Sequence, residues 1–208
     1  MILKKFIAVV VLCAAGASSH AANFSFTGQF QYDNDVQLFQ FTVGAPSEVS
    51  LRSWSYAGGT NASGQTIARG GFDPILALFD ANGTRVGQQD DAPCGNVAAD
   101  IVTNRCFDTF FTTILGAGVY TASIQQYDNF SNGNLSAGFV RDGVQYRQFR
   151  NGFVDESGDR RNASWAFDIL NVNSADLPPP VDVPEPSSIS LLGAAMLGML
   201  TVFRRRKV

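Results

Sequence analysis

The stretch GFDPILALFDANGTRVGQQDD, residues 71–91, decides how the middle of this chain folds. Two runs of strand-forming residues flank the four residues from Asp80 to Gly83. The pair Asn82-Gly83 is typical of a tight turn between antiparallel strands, because glycine tolerates the positive φ that such a turn requires. The stretch therefore predicts a β-hairpin.

The same pattern recurs on both sides of this hairpin. Short runs rich in aromatic and β-branched residues are separated by Gly, Asn, Asp and Pro, and no long internal stretch keeps a helical period. Seven or eight such strands predict an all-β domain, a single β-sandwich with a jelly-roll-like topology. Strand alternation places three groups of side chains each on one strand face: Phe39, Phe41 and Val43; Tyr120, Ala122 and Ile124; Trp165, Phe167 and Ile169.

The two ends of the chain have the features of targeting segments. Residues 1–21 combine Lys4 and Lys5 with a short apolar run and a small-x-small site that ends at Ala21. The apolar run is too short to span a bilayer, so these residues predict a cleaved signal helix. Residues 22–173 then form the β-sandwich ectodomain, and residues 174–182 form a stiff Pro-rich linker.

The last residues, 183–208, have three parts in a fixed order: Val183, Pro184, Glu185 and Pro186, then an apolar run at 187–203, then Arg204, Arg205, Arg206 and Lys207. The apolar run would measure about 25 Å as a helix, against about 30 Å for the hydrocarbon core of a bilayer. It therefore predicts a marginal transmembrane helix. Because positive charge tends to stay in the cytoplasm, the ectodomain is expected outside the cytoplasmic membrane.

This three-part order resembles the PEP-CTERM sorting signal of Gram-negative bacteria. The resemblance implies recognition by an exosortase, a membrane transpeptidase-like sorting enzyme. It also implies delivery to the cell envelope, the cell surface or an exopolysaccharide matrix, with membrane attachment through the C-terminal helix before processing.

A second resemblance involves the order of three internal stretches: DNDVQLFQFTV at 33–43, the hairpin at 71–91, and LGAGVYTASIQQYDN at 115–129. This order is similar to the bacterial pre-peptidase C-terminal type of β-sandwich, as found in uncharacterised exported PEP-CTERM proteins. The resemblance implies a fold and a surface role rather than a reaction.

Composition excludes several classes of site. Between residues 22 and 203 the chain has nine Arg, no Lys and 18 acidic residues, a net charge of −9, which argues against nucleic acid as a partner. The only His is His20, within the signal segment. A Ser-His-Asp triad, a Cys-His dyad, a His-ligated zinc site and a Schiff-base lysine are therefore excluded.

Cys94 and Cys106 are the only cysteines of the exported segment. Two cysteines in an exported domain predict a disulfide rather than a metal site. Closing this short loop is worth about 3 kcal/mol on the chain-entropy model.

Acidic residues on loops are the candidate metal ligands. Asp33 and Asp35 precede a predicted strand, and Asp90 and Asp91 follow the hairpin. Grouped oxygen ligands of this kind suit Ca²⁺, but the EF-hand spacing is absent and solvated turn residues are the alternative interpretation.

No catalytic residue can be assigned. A carboxylate-pair glycoside hydrolase needs no His, but Glu48 and Glu156 are the only glutamates of the folded part and nothing in the sequence places them in a cleft. Residues 129–162 break the strand rhythm and predict a long surface loop, or a binding loop with Tyr146, Phe149 and Phe153 as ligand platforms.

The sequence therefore predicts a non-catalytic exported protein with a structural or adhesive role. A carbohydrate-binding module that uses calcium is the alternative function, and a glycoside hydrolase is the third.

Overall fold

Thirteen strands and two short 3₁₀ helices form the residues that this computed structural model describes, 20–143 and 148–178. In chain order the strands are β1 (Ala22–Gln29), β2 (Val36–Val43), β3 (Ser47–Ser53), β4 (Gly59–Thr60), β5 (Thr66–Ile67), β6 (Pro74–Phe79), β7 (Arg85–Gln89), β8 (Phe110–Leu115), β9 (Gly118–Gln126), β10 (Phe153–Val154), β11 (Arg160–Arg161), β12 (Ser164–Val172) and β13 (Ser174–Asp176). The 3₁₀ helices are Leu135–Ala137 and Phe149–Asn151. The described residues up to Leu177 belong to one compact unit.

The predicted signal helix, the Pro184-Glu185-Pro186 motif and the apolar run at 187–203 lie outside the described residues. Across residues 20–143 and 148–178, no helix has the length and apolar character needed to span a bilayer.

Two antiparallel sheets make up the fold. One has the strand order β1-β12-β3-β8, and the other has the order β13-β2-β9-β6-β7. The eight longest strands are β1, β2, β3, β6, β7, β8, β9 and β12. Numbered one to eight in this order, they have the order 1-8-3-6 in the first sheet and 2-7-4-5 in the second. This is the strand order of a jelly roll. The predicted all-β sandwich is therefore confirmed.

Aromatic side chains from both sheets meet in the core. Phe39 of β2 lies with its ring centroid 4.7 Å from that of Phe26 on β1 and 4.9 Å from that of Phe167 on β12. Each such pair stabilises the fold by about 0.5–1.5 kcal/mol in addition to the free energy gained from burying its apolar surface. The side chains predicted to share a face on β2, β9 and β12 all pack in this core.

Strand β6 is buried on both faces, which is unusual for an antiparallel strand. Leu76 and Leu78 face the core between the sheets, whereas Ala77 and Phe79 point to the other side. There they pack with Phe139, from the segment predicted to be a surface loop. Part of that segment therefore covers the second sheet.

The predicted hairpin is confirmed in detail. Strands β6 and β7 pair antiparallel, and Gly83 has φ +76 at the turn. The Oδ1 atom of Asp80 accepts hydrogen bonds from the backbone N–H groups of Asn82 and Thr84, each at 2.9 Å. The turn is thus held by its own first side chain.

The folded part extends beyond residue 173. Strand β13, Ser174–Asp176, pairs with β2 at the edge of the second sheet. These three residues fall in the segment that the sequence assigns to the linker. The two-stranded ribbons β4-β5 and β10-β11 were also not predicted.

The predicted disulfide is confirmed. Cys94 and Cys106 are bonded, with their Cα atoms 5.3 Å apart. The loop that they close contains Asp100, whose carboxylate bonds with Arg69 and lies 3.6 Å from the guanidinium of Arg161. This loop is therefore fixed both covalently and by buried charge pairs.

Arg161 is the largest fully buried side chain among the described residues. Its Nε atom lies 3.0 Å from Asp155, and its guanidinium stacks 3.4 Å from the ring centroid of Tyr56. A buried cation is tolerated only when it is paired. Arg161 therefore joins the segment after β3, the disulfide loop and the β10-β11 ribbon.

Candidate cation and ligand site

Two of the four predicted metal ligands are engaged within the protein. The buried carboxylate of Asp33 lies 2.8 Å from Nη1 of Arg141. The Oδ2 atom of Asp35 accepts backbone hydrogen bonds from Gln31 at 2.7 Å and Tyr32 at 2.9 Å. These contacts give each carboxylate a structural role in the turn before β2.

The other two belong to a compact carboxylate cluster. Asp73, Asp90 and Asp91 each offer one carboxylate oxygen, and the three oxygens lie within 4.8 Å of one another. We call these residues the Asp73 cluster. Neither Asp33 nor Asp35 is a member of it.

The register of the hairpin explains why these residues meet. Asp73 directly precedes β6, and Asp90 and Asp91 directly follow β7. Because Leu76 pairs with Gln89, the two open ends of the hairpin lie side by side. Asp73 was missed in the sequence, because only the pairing of β6 with β7 brings it beside Asp90 and Asp91.

No salt bridge joins the Asp73 cluster to a described Arg. Burial, followed by the charges of Asp91 and Asp90, raises the pKa of Asp73 to about 9. Burial and the charge of Asp91 raise the pKa of Asp90 to about 6. The Oδ1 atoms of Asp73 and Asp90 are buried and accept no hydrogen bond from any described residue. A cation would relieve this repulsion and supply the missing partner.

A cavity of about 190 Å³ lies next to this cluster, and Asp73 forms part of its wall. It lies at the end of the second sheet, where β9 ends at Gln126 and β6 begins at Pro74. Among the described residues, its lining contains one Arg, Arg141, and five carboxylates: Asp33, Asp73, Asp128, Asp155 and Glu156. Four aromatic rings complete most of the wall: Phe107, Tyr127, Phe149 and Phe153.

The predicted ring platform is placed differently from the expectation. Phe149 is buried, with its ring stacked on that of Phe153 at a centroid distance of 4.2 Å and tilted against that of Phe72 at 5.8 Å. These rings close the end of the core and form the apolar wall of the cavity. The prediction of Phe149 as a surface platform is therefore wrong, and Tyr146 lies outside the described residues.

The two glutamates considered for glycoside hydrolysis do not line the same cavity. Glu156 lines the 190 Å³ cavity, whereas Glu48 is exposed on β3 and is not part of that lining. The pair suggested by residue type is therefore not assembled as a site around this cavity.

Comparison with known proteins identifies the C-terminal segment. Residues 182–207 match the PEP-CTERM protein-sorting motif, which confirms the resemblance seen in the sequence. A chain with this motif is exported, processed by an exosortase-type enzyme and associated with the cell surface or envelope. No curated protein matches the sequence.

A comparison with solved structures found one similar domain among its matches. It is the 1.0 Å crystal structure of the pre-peptidase C-terminal domain of collagenase from Bacillus anthracis, with 9% sequence identity and a TM-score of 0.35. The match covers 74% of this chain and 90% of that chain. The jelly-roll assignment rests on the strand order described above, not on this match.

Proposed function

We propose that this protein is a non-catalytic, exported β-sandwich with a structural or adhesive role at the surface or in the extracellular matrix of a Gram-negative bacterium. The observation that carries the proposal is the sorting motif at residues 182–207. An exosortase-type enzyme removes or exchanges the C-terminal segment, and the β-sandwich is delivered to an exopolysaccharide matrix. Residues 22–203 have a net charge of −9, which suits a soluble matrix component.

The test is the fate of the C-terminus in cells. Wild-type protein should be recovered outside the cytoplasmic membrane with a mass that lacks the residues after Pro186. Replacing Pro184, Glu185 and Pro186 with Ala should leave the chain in the membrane and intact through Val208. As a matched control, replacing Pro178, Pro179 and Pro180 with Ala changes three nearby residues outside the motif. An intact C-terminus on the exported wild-type protein would contradict the proposal.

The second candidate function is a calcium-dependent carbohydrate-binding module. The observation that favours it is the Asp73 cluster, with two buried carboxylate oxygens that have no partner among the described residues. Three carboxylates provide fewer than the six to eight oxygens that Ca²⁺ takes, so water or ligand hydroxyl groups complete the shell. Polysaccharide pull-down in Ca²⁺ and in EDTA tests this function, and equal recovery in both would contradict it.

A further inference from the structure

Strand β8 is an edge strand whose outer side is open. It lies at one end of the first sheet and pairs only with β3 among the described residues. No backbone hydrogen bond joins Phe110–Leu115 to a described residue outside β3. Alternate residues of an edge strand point their N–H and C=O groups away from the sheet. β8 therefore presents a row of donors and acceptors with which another strand can pair.

The other three edge strands in the described part of the two sheets differ from β8. Natural proteins protect sheet edges with charged side chains, bulges or very short strands. β1 has a bulge between Ala22 and Phe24, β13 has three residues and carries Asp176, and β7 begins at Arg85. β8 has six residues in regular register and contains no Gly, Pro or charged residue. It is therefore the edge with the least protection against pairing.

The side chains of β8 suit a strand of the same sequence. Thr112 and Ile114 point outward from the β-sandwich, and Ile114 is 78% exposed. Phe111 and Leu115 pack toward the core. Apart from Leu115, the strand consists of aromatic and β-branched residues, which form favourable cross-strand pairs with one another. Two β8 strands side by side would therefore bury apolar surface in addition to pairing their backbones.

Charge also favours a second copy of this chain as the partner. Residues 22–203 have a net charge of −9, so two copies repel each other over most of their surfaces. No charged residue lies between Asp108 and Asp128, and Asp108 is buried. Two copies that meet at β8 therefore approach through a neutral part of the surface, where repulsion is weakest. A basic partner would instead be attracted to the acidic parts of the molecule.

We propose that β8 pairs antiparallel with β8 of a second copy about a twofold axis at Thr113, so that the first sheets of both copies join into one continuous sheet. The axis is perpendicular to the sheet, because both copies must keep Thr112 and Ile114 on the outer face. Ile114 of each copy then lies beside Thr112 of the other copy, and the two Ile114 side chains meet diagonally across the axis.

The start of β8 determines this register. Ala92 donates a backbone hydrogen bond to Asp108, and Thr109 donates a side-chain hydrogen bond to the carbonyl of Asp90. Residues 90–92 therefore already cover the edge just before Phe110. Centring the pairing on Thr113 keeps the added strand clear of them. The pairing goes beyond the proposed function, since it depends on the folded domain and not on the sorting motif.

Sedimentation velocity of the exported protein, purified from cells, measures the oligomeric state. The wild type should change from monomer to dimer as its concentration rises from about 1 μM to about 1 mM, the range of weak protein interfaces. Ile114→Lys should weaken dimerisation at least about tenfold, because two ammonium groups would meet across the axis. Ile101→Lys makes the same change at an exposed position of the disulfide loop and should leave the dimer unchanged.

Both variants should keep the fold, which equal melting temperatures would show. Ile114 is exposed and lies opposite Glu48 on β3, so a cation is tolerated there in the monomer. Ile114→Glu alone should also be monomeric. A mixture of Ile114→Lys and Ile114→Glu should recover dimers within about threefold of the wild-type affinity, because opposite charges then meet at the axis. Hydrogen exchange should slow at Phe111–Leu115 as concentration rises, but not in β7.

The inference is overturned by a wild-type protein that stays monomeric, by equal effects of Ile101→Lys and Ile114→Lys, by a mixture that does not dimerise, or by protection of β7 instead of β8. Protection of β8 by a different chain that co-purifies would assign the edge to a foreign strand and would also overturn it. A monomeric protein that is correctly sorted overturns only this inference. A dimer that stays in the cytoplasm overturns only the proposed function.

Discussion

At the scale of single residues, this protein buries carboxylates in two different ways. Asp168 is buried on β12 and accepts hydrogen bonds from Ser25 Oγ at 2.6 Å, Trp54 Nε1 at 2.7 Å and the backbone N–H of Ala62 at 2.9 Å. Its charge is stabilised by fixed donors. No described residue donates a hydrogen bond to the Oδ1 atom of Asp73 or Asp90. Asp168 therefore needs no ligand, whereas Asp73 and Asp90 lack a partner that a bound cation would supply.

The Asp73 cluster is expected to bind Ca²⁺. At a Ca²⁺ concentration of a hundred times Kd, binding would add about 2.7 kcal/mol, a rise in Tm of roughly 5–10 °C. Asp90→Asn should abolish this rise, and Asp176→Asn on the exposed edge strand should keep it. Differential scanning fluorimetry measures the Tm of each protein in Ca²⁺ and in EDTA. A Tm that does not respond to Ca²⁺ in the wild-type protein rules out this use of the cluster.

Asp168→Asn should destabilise the fold by about 2–3 kcal/mol, because the amide nitrogen would face donors that now bond a carboxylate. Asp176→Asn is the same chemical change at an exposed position and should alter stability by less than about 0.5 kcal/mol. Urea unfolding of both variants measures the difference. Similar midpoints for the two variants would show that the donors around Asp168 contribute little.

At the scale of elements, alternation made the long strands predictable. The core-facing residues of β2, β9 and β12 follow a period of two, which the sequence displays directly up to Ile169 on β12. Strands β4, β5, β10, β11 and β13 have only two or three residues, too few to display any period. Their pairing depends on tertiary contacts that a sequence pattern does not encode.

The candidate site was only half predictable for a similar reason. Asp90 and Asp91 stand out as adjacent acids, but Asp73 joins them only through the pairing of β6 with β7. Gln126 is polar in a run of alternating residues, and its burial depends on the segment that closes the end of the core. That segment contributes single apolar residues such as Phe139 and Phe149, separated by Gly and Asn. Because these residues follow no period, the sequence does not predict that they are buried.

The disulfide loop should contribute measurably to stability. Replacing both Cys94 and Cys106 with Ser should lower the free energy of unfolding by about 3 kcal/mol, because the unfolded chain regains the entropy of an open loop. Chemical denaturation of the oxidised wild-type protein and the double variant measures this loss. Thiol labelling without reductant should find no free cysteine in the exported protein, and labelling of the wild type would contradict the expectation.

The charge network around Arg161 should make the fold sensitive to acid. Burial opposes ionisation of Asp100, but hydrogen bonds from Arg69 and from the backbone of Thr103 and Val102 outweigh it and hold the pKa of Asp100 well below its usual range. A depressed pKa contributes stability above the unfolded-state value of about 3.9, and this contribution is lost as pH falls through the folded-state pKa.

Stability should therefore fall steeply below about pH 4 in the wild-type protein. Asp100→Asn should be less stable at neutral pH and should show a shallower fall between pH 4 and pH 2, because it has no carboxylate to protonate at this position. Melting curves of both proteins between pH 4 and pH 2 measure how steeply the stability of each one falls. Parallel profiles for the variant and the wild type would show that Asp100 is not responsible.

At the scale of the whole molecule, sorting and folding use separate parts of the chain. The sorting motif begins at residue 182, and the last strand, β13, ends at Asp176. The chemistry of the cavity and of the Asp73 cluster lies entirely within the β-sandwich. Removal of the residues after Pro186 should therefore leave the ligand chemistry unchanged. The Ca²⁺ response of the processed protein should equal that of the full chain.

The position of β13 also has a mechanical consequence. Tension applied through the linker reaches the β-sandwich at this three-residue strand, which pairs only with Gln40, Phe41 and Thr42 of β2. Peeling it away releases about 10 Å of chain, at about 3.3 Å per residue, while the nine-residue β12 stays paired on both sides. Single-molecule stretching from the C-terminus should show this small step before the main rupture. Detachment of β13 would then extend the chain under tension before the rest of the β-sandwich unfolds.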